Sequence, residues 1–327
     1  MKIERFQETD HIAAAELFCR YAENEFVHKK LSETDFHTTF VQNSPQVTKI
    51  NLAVLTEDNS LIGFANGCVK KGSDTGYITF VLVDAPYRRQ GIATRLLSAL
   101  EKALADTADV TQYQITFFNP INLTWIVPGT PGHDHPNAPG IDVAGGAYLF
   151  FKNNGYLDSV YQNSFYLPLK NFLIQPEVQK RMDSLSEHDL SVCFYQPQKH
   201  FGMEELFENL GSEDWKEIVL GNIRKEGGGD PVIIAEHNGL AVGFAGPIHV
   251  QKSGRGYFAG IGVHSEYRKY GLGKVLFSTL CKSLKDIGAE YMTLFTGETN
   301  PARYIYQSAG FKIVKTWADM EKKRQSR

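Results

Sequence analysis

The sequence predicts an α/β (α+β) chain made of two copies of one fold, and three observations carry that prediction. A strand, a tight loop with arginine and glycine, and the start of an amphipathic helix occur at residues 257–287 and again at 77–104. Matching residues stand at a constant offset of 180: Gly63-Phe64-Ala65 with Gly243-Phe244-Ala245, Gly76-Tyr77 with Gly256-Tyr257, Val83 with Val263, and Tyr87-Arg88 with Tyr267-Arg268. At 327 residues the chain is also long enough for two domains that each bury a core. An ungapped match running from hairpin to helix is the mark of an internal duplication.

Composition narrows the class. Apolar content of 42% and charged content of 22% describe an ordered globular chain and exclude a disordered or fibrous one. A net charge of −3 argues against broad nucleic-acid binding, so the basic run Lys322-Lys323-Arg324 is expected to be a solvated chain end. Cys19, Cys68, Cys193 and Cys281 lack the spacing of a metal knuckle or a disulfide framework and are expected to be buried thiols of a reducing compartment. The start of the chain has no apolar signal core and no run approaches the length of a membrane span. A cytoplasmic protein with neither nucleic acid nor membrane as partner is expected.

In chain order, residues 2–6 predict an edge strand, and Thr9-Asp10 can cap a helix through Ile12, Ala15, Leu17, Phe18 and Tyr21. Residues 50–55 and 61–69 alternate around the polar turn 57–60 as a hairpin. The nearly continuous apolar run 77–83 reads as an interior strand. After the Arg-rich loop, Ile92, Leu96, Leu97, Leu100 and Leu104 share one helix face, and 114–118 is the next strand. Residues 119–146 then carry five prolines and five glycines, which excludes a helix or a central strand. A loop of this length inside a domain signals function. A short helix at 147–153 ends at Gly155, strands follow at 157–161 and 164–169, and a charged helical connector spans 176–187.

The second half repeats the plan, with a strand at 191–195, helices through 203–210 and 215–223, the hairpin 232–235 and 240–249, and the strand 257–263. Beyond the helix the offset breaks: Gly91 to Gly155 spans 64 residues against 39 from Gly271 to Gly310. The excess of 25 falls in the Pro/Gly loop, which is therefore an addition to a common fold.

A strand-to-helix junction of this kind gathers backbone N–H groups and the positive end of a helix dipole at one point, which suits an anion. A nucleoside-triphosphate loop needs Ser or Thr after Gly273-Lys274, where Val275 stands, and a dinucleotide fingerprint needs a glycine where Leu276 stands. A ligand-free turn with capping glycines also fits a single copy.

Arg88-Arg89-Gln90-Gly91-Ile92-Ala93 and Arg268-Lys269-Tyr270-Gly271-Leu272-Gly273 resemble the signature of the GCN5-related N-acetyltransferases, Gln/Arg-x-x-Gly-x-Gly/Ala between the fourth strand and the third helix. The resemblance covers nearly the whole chain and looks like the tandem members of that family. It implies two acyl-CoA N-acyltransferase folds, each a mixed, mainly antiparallel sheet flanked by helices, at 1–172 and 190–327 with a connector at 173–189. It further implies acetyl-CoA as co-substrate, its pyrophosphate held by backbone N–H groups from Tyr270 to Lys274 and its pantetheine arm lying along Ile261 and Val263. Arg268, Lys269, Gly271, Leu272, Gly273 and Asn300 complete that implied cofactor site. In the first half Val83, Arg88, Arg89, Gln90, Gly91, Ile92 and Ala93 correspond.

In the family, a tyrosine four residues before a Gly-Phe pair commonly protonates the leaving thiolate, and the stretch from Asn300 to Phe311 places Tyr306 there. A phenol suits the role because it holds its proton at neutral pH. Glu298, at the end of the fifth strand, is the candidate base, with His249 and His264 as weaker ones. Counting back from Gly155 gives Phe151, which has no proton to give, while Tyr148 lies one turn earlier. Gly260 and Gly262 interrupt the second fourth strand where the first has Phe80 and Leu82, which signals a bulge, a close ligand, or a large neighbour. The second half is therefore expected to be the enzyme, acetylating a primary amine on a small molecule or peptide as a monomer or homodimer. Catalysis in the first half and a non-catalytic CoA-responsive module are the alternatives, and the absence of a basic stripe argues against aminoacyl transfer from tRNA. His133-Asp134-His135 is too small a set for a metal site, so no metal is expected and the insertion reads as a lid or a contact surface.

Overall fold

The computed structural model describes residues 1–324, the side chain of Glu8 aside. Its contacts form two compact units: residues 1–163 with the described residues from 315 onward, and residues 164–314. No described helix is long and apolar enough to cross a membrane.

The first unit runs β1 (Lys2–Arg5), α1 (His11–Tyr21), α2 (Glu33–Phe36), β2 (Val47–Leu55), β3 (Leu61–Lys70), β4 (Thr75–Val83), α3 (Ile92–Thr107) and β5 (Gln112–Ile115). The insertion contributes β6 (Trp125–Ile126), β7 (Asp134–His135) and β8 (Ile141–Asp142), followed by α4 (Gly146–Asn153) and β9 (Leu157–Pro168), whose residues from 164 on belong to the second unit. Neighbouring strands from β1 to β4 are antiparallel, and β4 meets β5 in parallel. The amphipathic face of α3 buries Leu96, Leu97, Leu100 and Leu104 against one side of this sheet. Phe18, Phe36 and Phe40 pack with Phe64 and Phe80 in a separate aromatic cluster.

The second unit contains α5 (Pro176–Ser184), β10 (Leu190–Phe194), α6 (Met203–Leu210), α7 (Glu213–Ile223), β11 (Ile233–His237), β12 (Leu240–Ala245) and β13 (Ile261–Val263). It continues with α8 (Leu272–Asp286), β14 (Tyr291–Gly297) and α9 (Ala302–Ser308). Strands β10 to β13 form an antiparallel sheet, with α8 burying Leu276, Phe277, Leu280 and Leu284 in the unit's core. The expected connector helix is part of this unit, because α5 buries Val178 in the same core.

The last strand, β15 (Lys312–Lys323), departs from the 190–327 boundary: its residues from 315 on belong to the first unit and pair antiparallel with β5 and β8. Chain order could not tell which sheet a terminal strand joins. For the same reason Lys322-Lys323-Arg324 is tied to the first unit's sheet, although Lys323 and Arg324 stay exposed. Lys322 Nζ lies 2.8 Å from Glu101 Oε2, and Arg324 N donates to Thr111 O at 2.8 Å. Glu101 is a helix carboxylate 9% exposed, and Tyr156 Oη also donates to it at 2.9 Å, so the basic tail neutralises a charge that burial alone would penalise.

Three further segments differ from the pattern. The two strands expected at 157–161 and 164–169 are one strand, β9. The strand expected at 240–249 stops at Ala245, before Pro247, which has no N–H for a ladder. Only 261–263 of the expected 257–263 is regular strand, although Tyr257 N still donates to His249 O at 3.0 Å. Of the four thiols, all free, Cys68 and Cys281 are buried and the other two partly exposed.

Candidate functional site

Each signature loop leads into a long helix whose N-cap is a left-handed glycine, Gly91 at φ 73° and Gly271 at φ 69°. A side chain is strained there, which accounts for glycine at both positions. Neither helix has a side-chain cap, so first-turn N–H groups of Ile92-Ala93 and of Leu272-Gly273 are left for a ligand. The signature arginines carry side-chain bonds within their own loops. Arg88 Nε donates to Val83 O at 2.7 Å and Arg268 Nε to Val263 O at 3.3 Å, so each ties its loop to the end of the preceding strand. Arg88 is held further by Glu25 at 2.8 Å and by the Tyr21 ring 4.4 Å away. Arg89 adopts φ 63° within its loop, and Gln90 Nε2 reaches Pro86 O at 3.5 Å.

The surroundings of the loops differ. Nothing lies within 4 Å of where a Cβ on Gly91 would sit. On Gly271 a Cβ would stand 2.5 Å from Arg181 Nη1, which donates to Tyr270 O at 3.3 Å. Arg181 shares a cavity wall with Gln175, Val178, Lys274 and Ser308, and Ile305 Cδ1 closes to 3.0 Å of a Cβ on Gly273. Lys269 Nζ lies over the Tyr270 ring at 5.2 Å. Arg181 carries no local sequence signal, because it stands 89 residues before Tyr270.

In the first unit β4 and β5 pair from Thr75 and Gln112 only as far as Tyr77 and Gln114. Beyond that point opens a pocket of about 850 Å³, counted out to solvent, walled by Ile78–Val81 of β4, Ile115 at the end of β5 with Thr116 after it, the insertion, the start of α4, and Trp317. The insertion is thus a wall of the pocket. Trp125 and Trp317 meet edge to face at 5.4 Å, Asp142 is ion-paired with Lys315, and Asp134 holds Lys29 at 2.9 Å. His135 Nδ1 engages Asn137 O at 3.0 Å, so the His133-Asp134-His135 stretch is partly spent on shaping the loop. Phe151 lines the pocket, whereas Tyr148 turns its hydroxyl to Asp158 at 2.9 Å and Tyr161 at 3.2 Å.

Sequence reasoning missed His28, which follows Val27, a residue at φ 52°. The residue is half-buried and lines the pocket, while Nδ1 is buried. Burial, the larger cause, pushes its pKa down to about 4 against the Thr124 carbonyl and Asp142, so the ring is neutral at physiological pH.

In the second unit Tyr306 is 5% exposed among Phe277, Phe165 and Phe258, with ring centroids at 5.0, 5.5 and 6.1 Å. Burial pushes its pKa up to about 12, and no hydrogen bond among the described residues engages its hydroxyl. Glu298 is exposed and its carbonyl accepts from Arg303 at 2.8 Å; Asn300 Oδ1 accepts from Ala302 N at 2.9 Å at the start of α9. No hydrogen bond among the described residues joins Glu298 to Tyr306. His249 stacks on Tyr257 at 4.2 Å and His264 Nδ1 accepts from Glu266 N at 3.4 Å. A Cβ on Gly260 would overlap the Trp215 indole, and one on Gly262 would overlap Leu210 and stand 2.9 Å from Phe244. Both glycines make room for large neighbours on the α6–α7 segment.

The family model for the acetyltransferase (GNAT) family matches residues 13–121 and 188–311, more than half of the chain. No curated protein matches the sequence. Among solved structures, the GCN5-related glucosamine N-acetyltransferase region of a fungal multi-domain GH3 β-N-acetylglucosaminidase shares 14% identity over 98% of this chain at a TM-score of 0.67, and the match covers 38% of the fungal chain. A tandem GNAT protein from the clavulanic acid biosynthesis pathway shares 16% identity over 100% of this chain and 99% of its own, at 0.60. A GCN5-related N-acetyltransferase from Sphaerobacter thermophilus shares 14% over 100% and 96%, at 0.57. With a family match in each half and a full-length fold match to a tandem protein, this chain belongs to the GNAT acetyltransferase family and carries two GNAT folds in tandem.

Proposed function

We propose that the chain is an acetyl-CoA-dependent N-acetyltransferase whose amine acceptor enters the pocket of the first unit. One observation carries this reading: the pocket opens on the strand, β4, whose end leads directly into the uncovered loop at Gly91. The loop fits the cofactor, because it offers uncapped N–H groups at Gly91 to Ala93 and a glycine that leaves their approach open. When bound, acetyl-CoA supplies an activated thioester to an unprotonated amine. Gly91, Ile92 and Ala93 would hold its pyrophosphate, with Val83 beside the pantetheine arm and Arg88 keeping the loop in register. The walls exclude water and orient the amine. The fungal region's printed substrate, glucosamine, is the first acceptor to try in an amine panel.

A second reading puts the chemistry in the second unit, and the unengaged Tyr306 hydroxyl favours it. There Tyr306 would protonate the departing thiolate and Glu298 would accept the amine proton. Gly271, Leu272, Gly273 and Lys274, with Arg268, Lys269 and Tyr270, would form the cofactor loop beside Ile261, Val263 and Asn300. Acetyl-CoA consumption over the panel separates the two. In the first reading Gly91→Val raises the KM for acetyl-CoA at least about 10-fold, since side-chain strain and bulk both fall on the loop, while Tyr306→Phe leaves turnover unchanged. The reverse pattern would move the reaction to the second unit.

A further inference from the structure

The second signature loop keeps a ligand-ready backbone but lies under side chains of its own unit. Gly271 holds the left-handed N-cap and α8 has no side-chain cap, as Gly91 and α3 have in the first unit. Glycine in such a loop leaves a bare face against which a ligand lies close. At Gly271 that face is taken by Arg181 of α5, whose Nη1, Cδ and Cζ would all come within 2.9 Å of a Cβ there. At Gly273 it is taken by Ile305 of α9, whose Cδ1 would stand at 3.0 Å. Phe258, shortly before β13, sets its ring against Phe277 at 5.7 Å and Tyr306 at 6.1 Å, so the approach along that strand is filled as well.

The connector grips the loop at two points. Arg181 Nη1 donates to Tyr270 O at 3.3 Å, and the His188 ring, in the turn after α5, lies 5.0 Å from the Tyr270 ring. Val178 and Met182 pack α5 on the unit's core, which fixes the helix while the exposed Arg181 reaches over the loop. Beside Arg181 lies a cavity of about 830 Å³, counted out to solvent, lined also by Gln175, Val178, Lys274 and Ser308. Shortening Arg181 therefore joins open space to the bare face of Gly271.

We propose that α5 is a built-in cover for the second cofactor loop, closed by Arg181 together with Ile305, so that the chain takes up a single acetyl-CoA and takes it up at the first loop. A cover of side chains over an intact backbone is undone by substitution, whereas a loop that had lost its geometry would stay closed. The closure depends on the second unit's residues alone; only the placing of the single cofactor rests on the first-unit reading above.

The test counts acetyl-CoA bound to the full chain by calorimetry and locates it by hydrogen exchange. Wild type is expected to bind one equivalent, which protects amides at 84–95 and leaves those at 264–275 unchanged. Arg181→Ala combined with Ile305→Ala is expected to bind a second equivalent and to gain protection at 264–275, while the affinity of the first site stays within about 3-fold of wild type. Thermal unfolding shows whether this variant folds, and Arg181→Ala alone, a surface substitution, carries the test if it does not. The proposal is overturned if wild type binds two equivalents or protects 264–275, if the folded variant gains no site there, or if Arg181→Ala weakens binding, which would make Arg181 a cofactor contact. A chain that binds nothing until the cover is cut back would overturn the first-unit reading and leave the cover standing. Two equivalents on wild type, with acetyl transfer lost in Gly91→Val, would do the opposite.

Discussion

The loops at Gly91 and Gly271 share the signature and a left-handed glycine at the helix N-cap, yet only the first is open. Around Gly91 there is space; over Gly271 lies the Arg181 guanidinium, and Ile305 stands against Gly273. The strands that feed the loops diverge in the same sense. In the first unit the fork beyond Tyr77 holds a pocket, with Ile78 on its wall. In the second, the residue at the same offset is Phe258, and its ring packs with Phe277 and Tyr306. Duplication thus kept the left-handed glycine at the helix start and let the side chains decide which copy stays accessible. A motif shows what a loop is able to hold, and the residues above it decide whether anything reaches it.

The largest expected effect comes from removing the residues from Lys315 onward. Trp317, Ala318 and Met320 are fully buried in the first unit, and Lys322 balances Glu101. Their loss is expected to abolish the first unit's cooperative unfolding and to leave a transition for the second. A scanning calorimeter reads this directly, and two intact transitions after truncation would show the units to be divided elsewhere.

A smaller effect tests the electrostatics of the same strand. Burial pushes the pKa of Asp319 up to about 6, opposed by its bond from Gln162, and Oδ1 has no hydrogen-bond partner. The folded state therefore binds the proton more tightly than the unfolded chain. That contribution is fully present below the unfolded pKa, near 4, and is lost as the pH rises through about 6. Asp319→Asn is expected to stabilise the first unit above pH 6 by up to about 3 kcal/mol and to change little below pH 4. Denaturant unfolding at the two pH values measures it, and equal effects at both would remove burial as the cause.

The smallest expected effect sharpens the contrast from the other side. Gly260→Ala places a methyl against Trp215, and overpacking of this kind costs about 1–3 kcal/mol. Trp215 fluorescence and thermal unfolding should both shift while the KM for acetyl-CoA does not. A raised KM with normal stability would make Gly260 part of a cofactor channel.

Much of this architecture is legible in the sequence because repeated glycines and periodic apolar residues report local geometry. The 180-residue offset, the helix faces at 96–104 and 276–284, and the strand-to-helix junctions are all of that kind. What escaped depends on partners distant in the chain. Nothing around residue 28 foretells a buried ring nitrogen, and nothing around residue 181 foretells a guanidinium on a loop 89 residues later. Lys322 reads as solvated until Glu101, 221 residues earlier, is known to be its partner. Gly260 and Gly262 showed that something large or close must face them, but Trp215 and Leu210 came only with the fold.

The placement of β15 bears on the order of events during synthesis. Domains generally complete in the order in which they leave the ribosome. Here the first unit lacks a strand until all of residues 164–314 have been made. Its exposed sheet edge must wait unpaired through that interval, so the second unit is able to finish first, and a nascent chain stalled before residue 315 would present an open β edge to its neighbours.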